Sequence, residues 1–237
     1  MWHQKKKLRK RLFALAFVVT LLTFTAWQSG GVKAHAAGAG IYAGGHETSG
    51  GMGTVAYNYT LELKEDKSYE IKSYFLMGDT LYDFVETGTY VLDSDNGKLV
   101  ITPQGQEAIE GSIDTDGSIT IGVKPSQMAP RRTEATLTLS NNKVAGVYRA
   151  TLQGPTVVEA TLYLTHRGEY FYMAVPSNDT AAVHETGTYT LGGTEIAFHI
   201  ADSADAVTGT VDSGEIAAPF IVSAVMGMRM EIKLGLQ

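Results

Sequence analysis

Met226, Met228 and Met230 alternate along the chain, so on a strand their thioethers would share one face. Soft sulfur ligands in such a row could hold Cu(I). Ile232 and Leu234 continue that face, while Arg229, Glu231 and Lys233 take the other. That is the alternation of a half-buried strand, and methionine fills core gaps well. The row is therefore expected to be core.

His46 and Met52 flank a Gly-rich run, His46-Glu47-Thr48-Ser49-Gly50-Gly51-Met52. Imidazole and thioether together form a soft metal pair, but two ligands are too few for a tight site. An exposed loop is the stronger reading, and His46 with Met52 is the one metal candidate. Among the other histidines, His166 falls in a turn, and His199 alternates away from the apolar Ile196, Phe198 and Ile200. No metal-ligand spacing links any two histidines.

Asp93-Ser94-Asp95-Asn96-Gly97 and Asp114-Thr115-Asp116-Gly117 invite a calcium reading. The first lacks the spacing and the distal Glu of an EF-hand loop. Both fit hairpin turns, where Asn-Gly and Asp-Gly tolerate positive φ. There is no nucleophile-elbow, Walker or His-Glu-x-x-His motif. No catalytic residue and no cofactor is expected, and the chain reads as a non-enzyme.

The elements that would position these residues come from a repeat. Glu86-Thr87-Gly88-Thr89-Tyr90 returns as Glu185-Thr186-Gly187-Thr188-Tyr189. Around it, Tyr59–Leu63 matches Ala160–Leu164, Tyr69 matches Tyr170, and Gly111–Asp114 matches Gly209–Asp212. A unit of about a hundred residues is domain-sized, too long for a solenoid repeat. Within each unit, period-two runs such as Tyr59-Leu61-Leu63 are punctuated by Gly, Asn and Asp turns. Each unit holds about eight short strands, and no segment keeps a helical period. That spacing predicts an all-β barrel or sandwich. The expected domains are 37–140 and 141–237, with Ser140-Asn141-Asn142 as a short hinge. A first strand near Gly40–Gly44 is expected, followed by the Gly-rich loop.

Residues 1–36 read as a secretory signal. Lys5 to Arg11 is basic, Leu12 to Trp27 is apolar, and Ala34-His35-Ala36 is a small-x-small cleavage site. An uncleaved membrane anchor is the alternative. The chain has no cysteine, which excludes a lipid anchor on cysteine and any disulfide. Of 19 Lys and Arg, seven lie in residues 1–36, leaving 12 against 25 Asp and Glu, a formal net of −13. Such a balance argues against nucleic acid and anionic lipid as partners.

Gly40-Ile41-Tyr42-Ala43-Gly44, Tyr59 through Tyr69, and Glu86–Tyr90 resemble the N-terminal domain of NlpE-like envelope proteins, and Gly146-Val147-Tyr148, Leu162–Tyr170 and Glu185–Tyr189 repeat the likeness more loosely. The resemblance implies lipocalin-like up-and-down barrels and a link to copper resistance or surface stress. The family's Cys-x-x-Cys pair and lipidated Cys are absent, and His46–Met52 stands where the pair would lie.

The resulting expectation is an exported binding or sensing module of the bacterial cell envelope, built as two tandem up-and-down β-barrels. Its partner would be a small ligand or an envelope protein. Two alternatives stay open: a carboxylate-based extracellular hydrolase, and a structural protein with solid barrels.

Overall fold

The computed structural model describes residues 37–50, 53–77, 80–178, 181–201 and 203–237. The expected signal segment, residues 1–36, and Met52 lie outside them.

Sixteen strands and no helix occur among the described residues. The first eight are β1 Gly40–Gly50, β2 Gly53–Leu63, β3 Ser68–Met77, β4 Thr80–Asp93, β5 Lys98–Pro103, β6 Ile109–Ile113, β7 Ile119–Val123 and β8 Thr133–Leu139. Each pairs antiparallel with the next, and β1 pairs β8 through Tyr42↔Leu139 and Ala43↔Thr138, closing a barrel. The second eight are β9 Gly146–Leu152, β10 Val158–Leu164, β11 Glu169–Pro176, β12 Val183–Gly192, β13 Glu195–Ile200, β14 Ala206–Asp212, β15 Glu215–Ile221 and β16 Arg229–Leu236. They close in the same way through β16 and β9. The fold is all-β, two closed eight-stranded barrels in tandem.

Alternation decides which side chains fill each barrel, because successive residues of a strand face opposite sides. Leu61, Ile71, Leu99 and Ile121 centre the first core; Leu162, Phe198, Phe220 and Leu234 centre the second. Closure leaves neither sheet with a full-length open edge.

The structure differs from the sequence expectations at two places. The Gly-rich segment after Gly44 is strand, not loop: β1 runs on to Gly50 and pairs with β2 down to Gly50↔Gly53. Glycine has low strand propensity, and here the continuing ladder with β2 overrides it. The methionines are not core. Met226 and Met228 are 60% and 63% exposed in the turn before β16, and Met230 is 48% exposed at its start. Met226 and Met228 precede the strand, so its alternation does not reach them, and Met230 sits at its very start; Ile232 and Leu234, further along on the face of Met230, are buried.

The barrels touch along their flanks. Tyr74 on the outside of β3 packs its ring 4.8 Å from that of Tyr163 on β10, with Val147, Leu81 and Phe171 around them. Arg167 Nη2 donates to Asn58 Oδ1 across the junction (3.2 Å). The connecting segment is pinned as well. Ser140 Oγ lies 2.9 Å from His166 Nδ1, and Asn142 Nδ2 donates to Tyr189 Oη (2.6 Å).

Candidate functional site

The repeated pentapeptide encodes a buried polar network, once per barrel. In the first barrel Tyr69 Oη donates to Glu86 Oε1 (3.1 Å). Arg132 Nη1 donates to the same oxygen and to Gly122 O (both 3.2 Å), and its Nη2 donates to Glu86 Oε2. In the second, Tyr170 Oη donates to Glu185 Oε1 (3.0 Å), and Arg229 bridges Glu185 Oε2 and Pro219 O. Burial, then the nearby carboxylate, pushes the phenols of Tyr69 and Tyr170 well up, so both stay protonated donors. The glycine of the motif lies under the same tyrosine. A Cβ on Gly88 would strike Thr102 O and come within 2.8 Å of Tyr69 Cε1; on Gly187 it would strike His199 O and Tyr170 Cε1. The motif's tyrosine locks the second turn of each barrel, β2–β3 and β10–β11, with Tyr90 donating to Lys64 O (2.8 Å) and Tyr189 to Thr165 O (2.6 Å). This network is structural: each buried carboxylate is committed to an arginine and a tyrosine.

What the two barrels do not share is at the open end of the first. Strands β1–β4 have 10–14 residues, whereas β5–β8 have 5–7. One half of the wall therefore rises above the other. On its inner face the register sets His46 opposite Tyr57, Tyr57 opposite Phe75, and Phe75 opposite Tyr82. The four rings form a continuous row. Centroids are 5.0 Å apart for His46 and Tyr57, 5.1 Å for Tyr57 and Phe75, and 4.9 Å for Phe75 and Tyr82. His46, Tyr57 and Phe75 are half-buried, and Tyr82 is exposed. Below the row lie Tyr59 and Phe84, with Lys124 Nζ 5.4 Å from the Phe84 ring centre.

In the second barrel Leu152↔Val158↔Pro176 occupies the positions of His46↔Tyr57↔Phe75. The correspondence follows from the shared pairs Tyr42↔Leu61 and Tyr148↔Leu162, and Leu61↔Ile71 and Leu162↔Tyr172. No aromatic row is built there. The second barrel instead backs the first, since Tyr163 and Phe171 pack behind the raised β3–β4 hairpin against Tyr74 and Leu81.

His46, the sequence candidate for metal, stands at one end of the row. Tyr59 Oη lies 3.2 Å from its Nδ1, and burial lowers the imidazole's pKa. With Tyr59 donating, Nδ1 is an acceptor and Nε2 carries the proton. Its proposed companion Met52 is outside the described residues. Among those residues no three His, Cys, Asp or Glu side chains converge as a metal group. His184 and His199 are exposed on the second barrel. The Asp-rich turns close on themselves: Asn96 Nδ2 donates to Asp93, and Ser118 Oγ to Asp114. The row itself was missed in the sequence, where its members carry no fixed spacing; only the paired hairpin registers bring them together. Arg132 and Arg229 were missed too: Arg132 precedes β8, and Arg229, the first residue of β16, falls by alternation on the outward face although its guanidinium reaches Glu185.

No family model and no curated protein matches the chain. A structure of a porin-like protein from Bacteroides uniformis resembles it at 12% identity, over 84% of this chain and 95% of that one, with a TM-score of 0.26. At that score the likeness carries no argument about fold or function.

Proposed function

We propose that this chain is an exported, non-catalytic binding or sensing module of the bacterial cell envelope, and that its ligand contacts the aromatic row at the mouth of the first barrel. The observation that supports this is the divergence between the copies. The shared Tyr–Glu–Arg network holds both barrels together, yet only the first sets His46, Tyr57, Phe75 and Tyr82 along an open wall. Aromatic rings carry a large apolar surface and a polar tip, a common composition for binding surfaces. Both cores are occupied by side chains, so the ligand meets the mouth. Against a hydrolase stands the engagement of Glu86 and Glu185 by arginine. Export rests on the basic, apolar and Ala-x-Ala order of residues 1–36. The link to metal or surface stress rests on the NlpE resemblance and on His46; under it, Zn²⁺ or Cu(I) binding would be weak, single-site and lost in His46→Ala.

The test is binding of the neutral apolar dye Nile red to the full chain. Enhanced emission is expected, lost in Tyr57→Ser and Phe75→Ser and kept in Val158→Ser of the second barrel. Emission indifferent to the first two substitutions, or lost with the third, would overturn the reading.

A further inference from the structure

We propose that the outer edge of β4, over Leu81–Val85, accepts an added strand from a basic polypeptide; this rests on the reading of the first barrel's mouth as the binding surface. The edge exists because β5 stops early. The β4–β5 ladder runs from Asp93↔Lys98 to Gly88↔Pro103, and Gln104 N donates to Thr87 O just beyond. Above that point β4 goes on to Thr80 with β3 on one side, from Ile71↔Glu86 to Met77↔Thr80. Thr87 O points toward β5, so the two-residue period turns the N–H and C=O of Val85, Asp83 and Leu81 to the same side. Among the described residues no strand pairs with that side. Open edges of this kind recruit extended peptides through main-chain hydrogen bonds.

The side chains select the occupant. Tyr82 and Phe84 face the concave side and would sit beside apolar residues of the added strand. Asp83 and Val85 face outward and are exposed, so Asp83 would sit beside the alternate residues. A second copy paired antiparallel about Asp83 would oppose Asp83 to itself, and like charges across a sheet destabilise it. Beyond residue 36 the chain carries 25 acidic and 12 basic residues, which further disfavours its own copy and favours Lys or Arg. A saccharide fits less well, because Tyr57, Phe75 and Tyr82 spend their ring faces on one another. The edge is also held ready: Leu81 packs into the Tyr74–Tyr163 cluster against the second barrel, so little ordering remains to be done on binding.

The experiment is calorimetric titration of the full chain with an alternating Lys-Val octapeptide, with amide hydrogen exchange read in parallel. Saturable binding and slowed exchange at Leu81, Asp83 and Val85 are expected. Val85→Pro removes an outward N–H without taking a bond from β3, and should weaken binding on the order of tenfold or more. Asp83→Lys should weaken the Lys-Val peptide and improve a Glu-Val one. Nile red emission should persist in Val85→Pro, which separates failure of this proposal from failure of the mouth as a binding surface. The proposal is overturned by absent binding, by full affinity in both variants, or by protection confined to Gly45–Thr48 of β1. It is equally overturned by self-association through β4, or by binding of an N-acetylglucosamine oligomer in place of the peptide.

Discussion

Arg132 meets Glu86 with both terminal nitrogens across the first barrel, and the side chains are 22% and 5% exposed. An arginine fork matched to a carboxylate is among the stronger side-chain pairings. Its worth lies mostly in what is left when one partner goes, since an unpaired buried charge is costly. Arg132→Met is therefore expected to destabilise by about 3 kcal/mol. Replacing both partners, Glu86→Leu with Arg132→Met, should restore a good part of that. Urea unfolding of the single and double variants checks it. Equal losses in all of them would mean that packing, not pairing, holds this point.

Two neighbouring tyrosines in the second barrel make a sharper contrast. Tyr170 Oη donates to Glu185, whereas Tyr172 Oη, buried beside it, has no hydrogen-bond partner among the described residues. Tyr170→Phe should cost about 1–3 kcal/mol, the penalty of stranding a buried acceptor. Tyr172→Phe keeps the ring stacked on Phe220, 4.3 Å away, and removes an orphan donor, so it should be neutral or stabilising. Thermal unfolding of both variants distinguishes them, and a Tyr172→Phe protein less stable than Tyr170→Phe would contradict the assignment.

Acid should weaken the fold through two histidines. Burial lowers the pKa of both His46 and His166 from the usual 6.5. A group whose folded pKa is depressed binds its proton less readily in the folded state than in the unfolded one. The unfolded chain therefore takes up more protons between the two values, and stability rises with pH across that window. The contribution is complete above 6.5 and is lost as pH falls through 6.5 toward the folded values. His166→Asn should flatten the stability profile below pH 6.5 relative to the parent chain. An unchanged acid slope would remove the histidine from the account.

Export has a direct readout. Protein recovered outside the cytoplasm is expected to begin at Ala37, after the Ala34-His35-Ala36 site. N-terminal sequencing decides it, and an intact Met1 in the membrane fraction would mean an anchor.

Much of the fold was legible because strand and turn signals are local. The alternation at Tyr59-Leu61-Leu63 and the turns at Asn96-Gly97 and Asp116-Gly117 mark their own elements, and the repeated pentapeptide marks the duplication. The candidate surface was hidden because its residues are neighbours only across strands. Tyr57, Phe75 and Tyr82 each look like one more apolar position until register lines them up beside His46. The methionines misled for a related reason: alternation reports a face, but not where the strand begins, and β16 begins at Arg229. Met230 and Ile232 share a face and differ only in depth.

The flank contact between the barrels has one more consequence. Tyr74, Leu81, Tyr163 and Phe171 lie on the outsides of closed barrels, so either half alone would show water an adhesive side. Removing the second half would also loosen the hairpin that carries Phe75 and Tyr82. The smallest piece that could be transplanted into another protein, or trimmed to for study, is thus the couple rather than the single barrel. The duplication did not give the chain a spare; it gave the first barrel something to lean on.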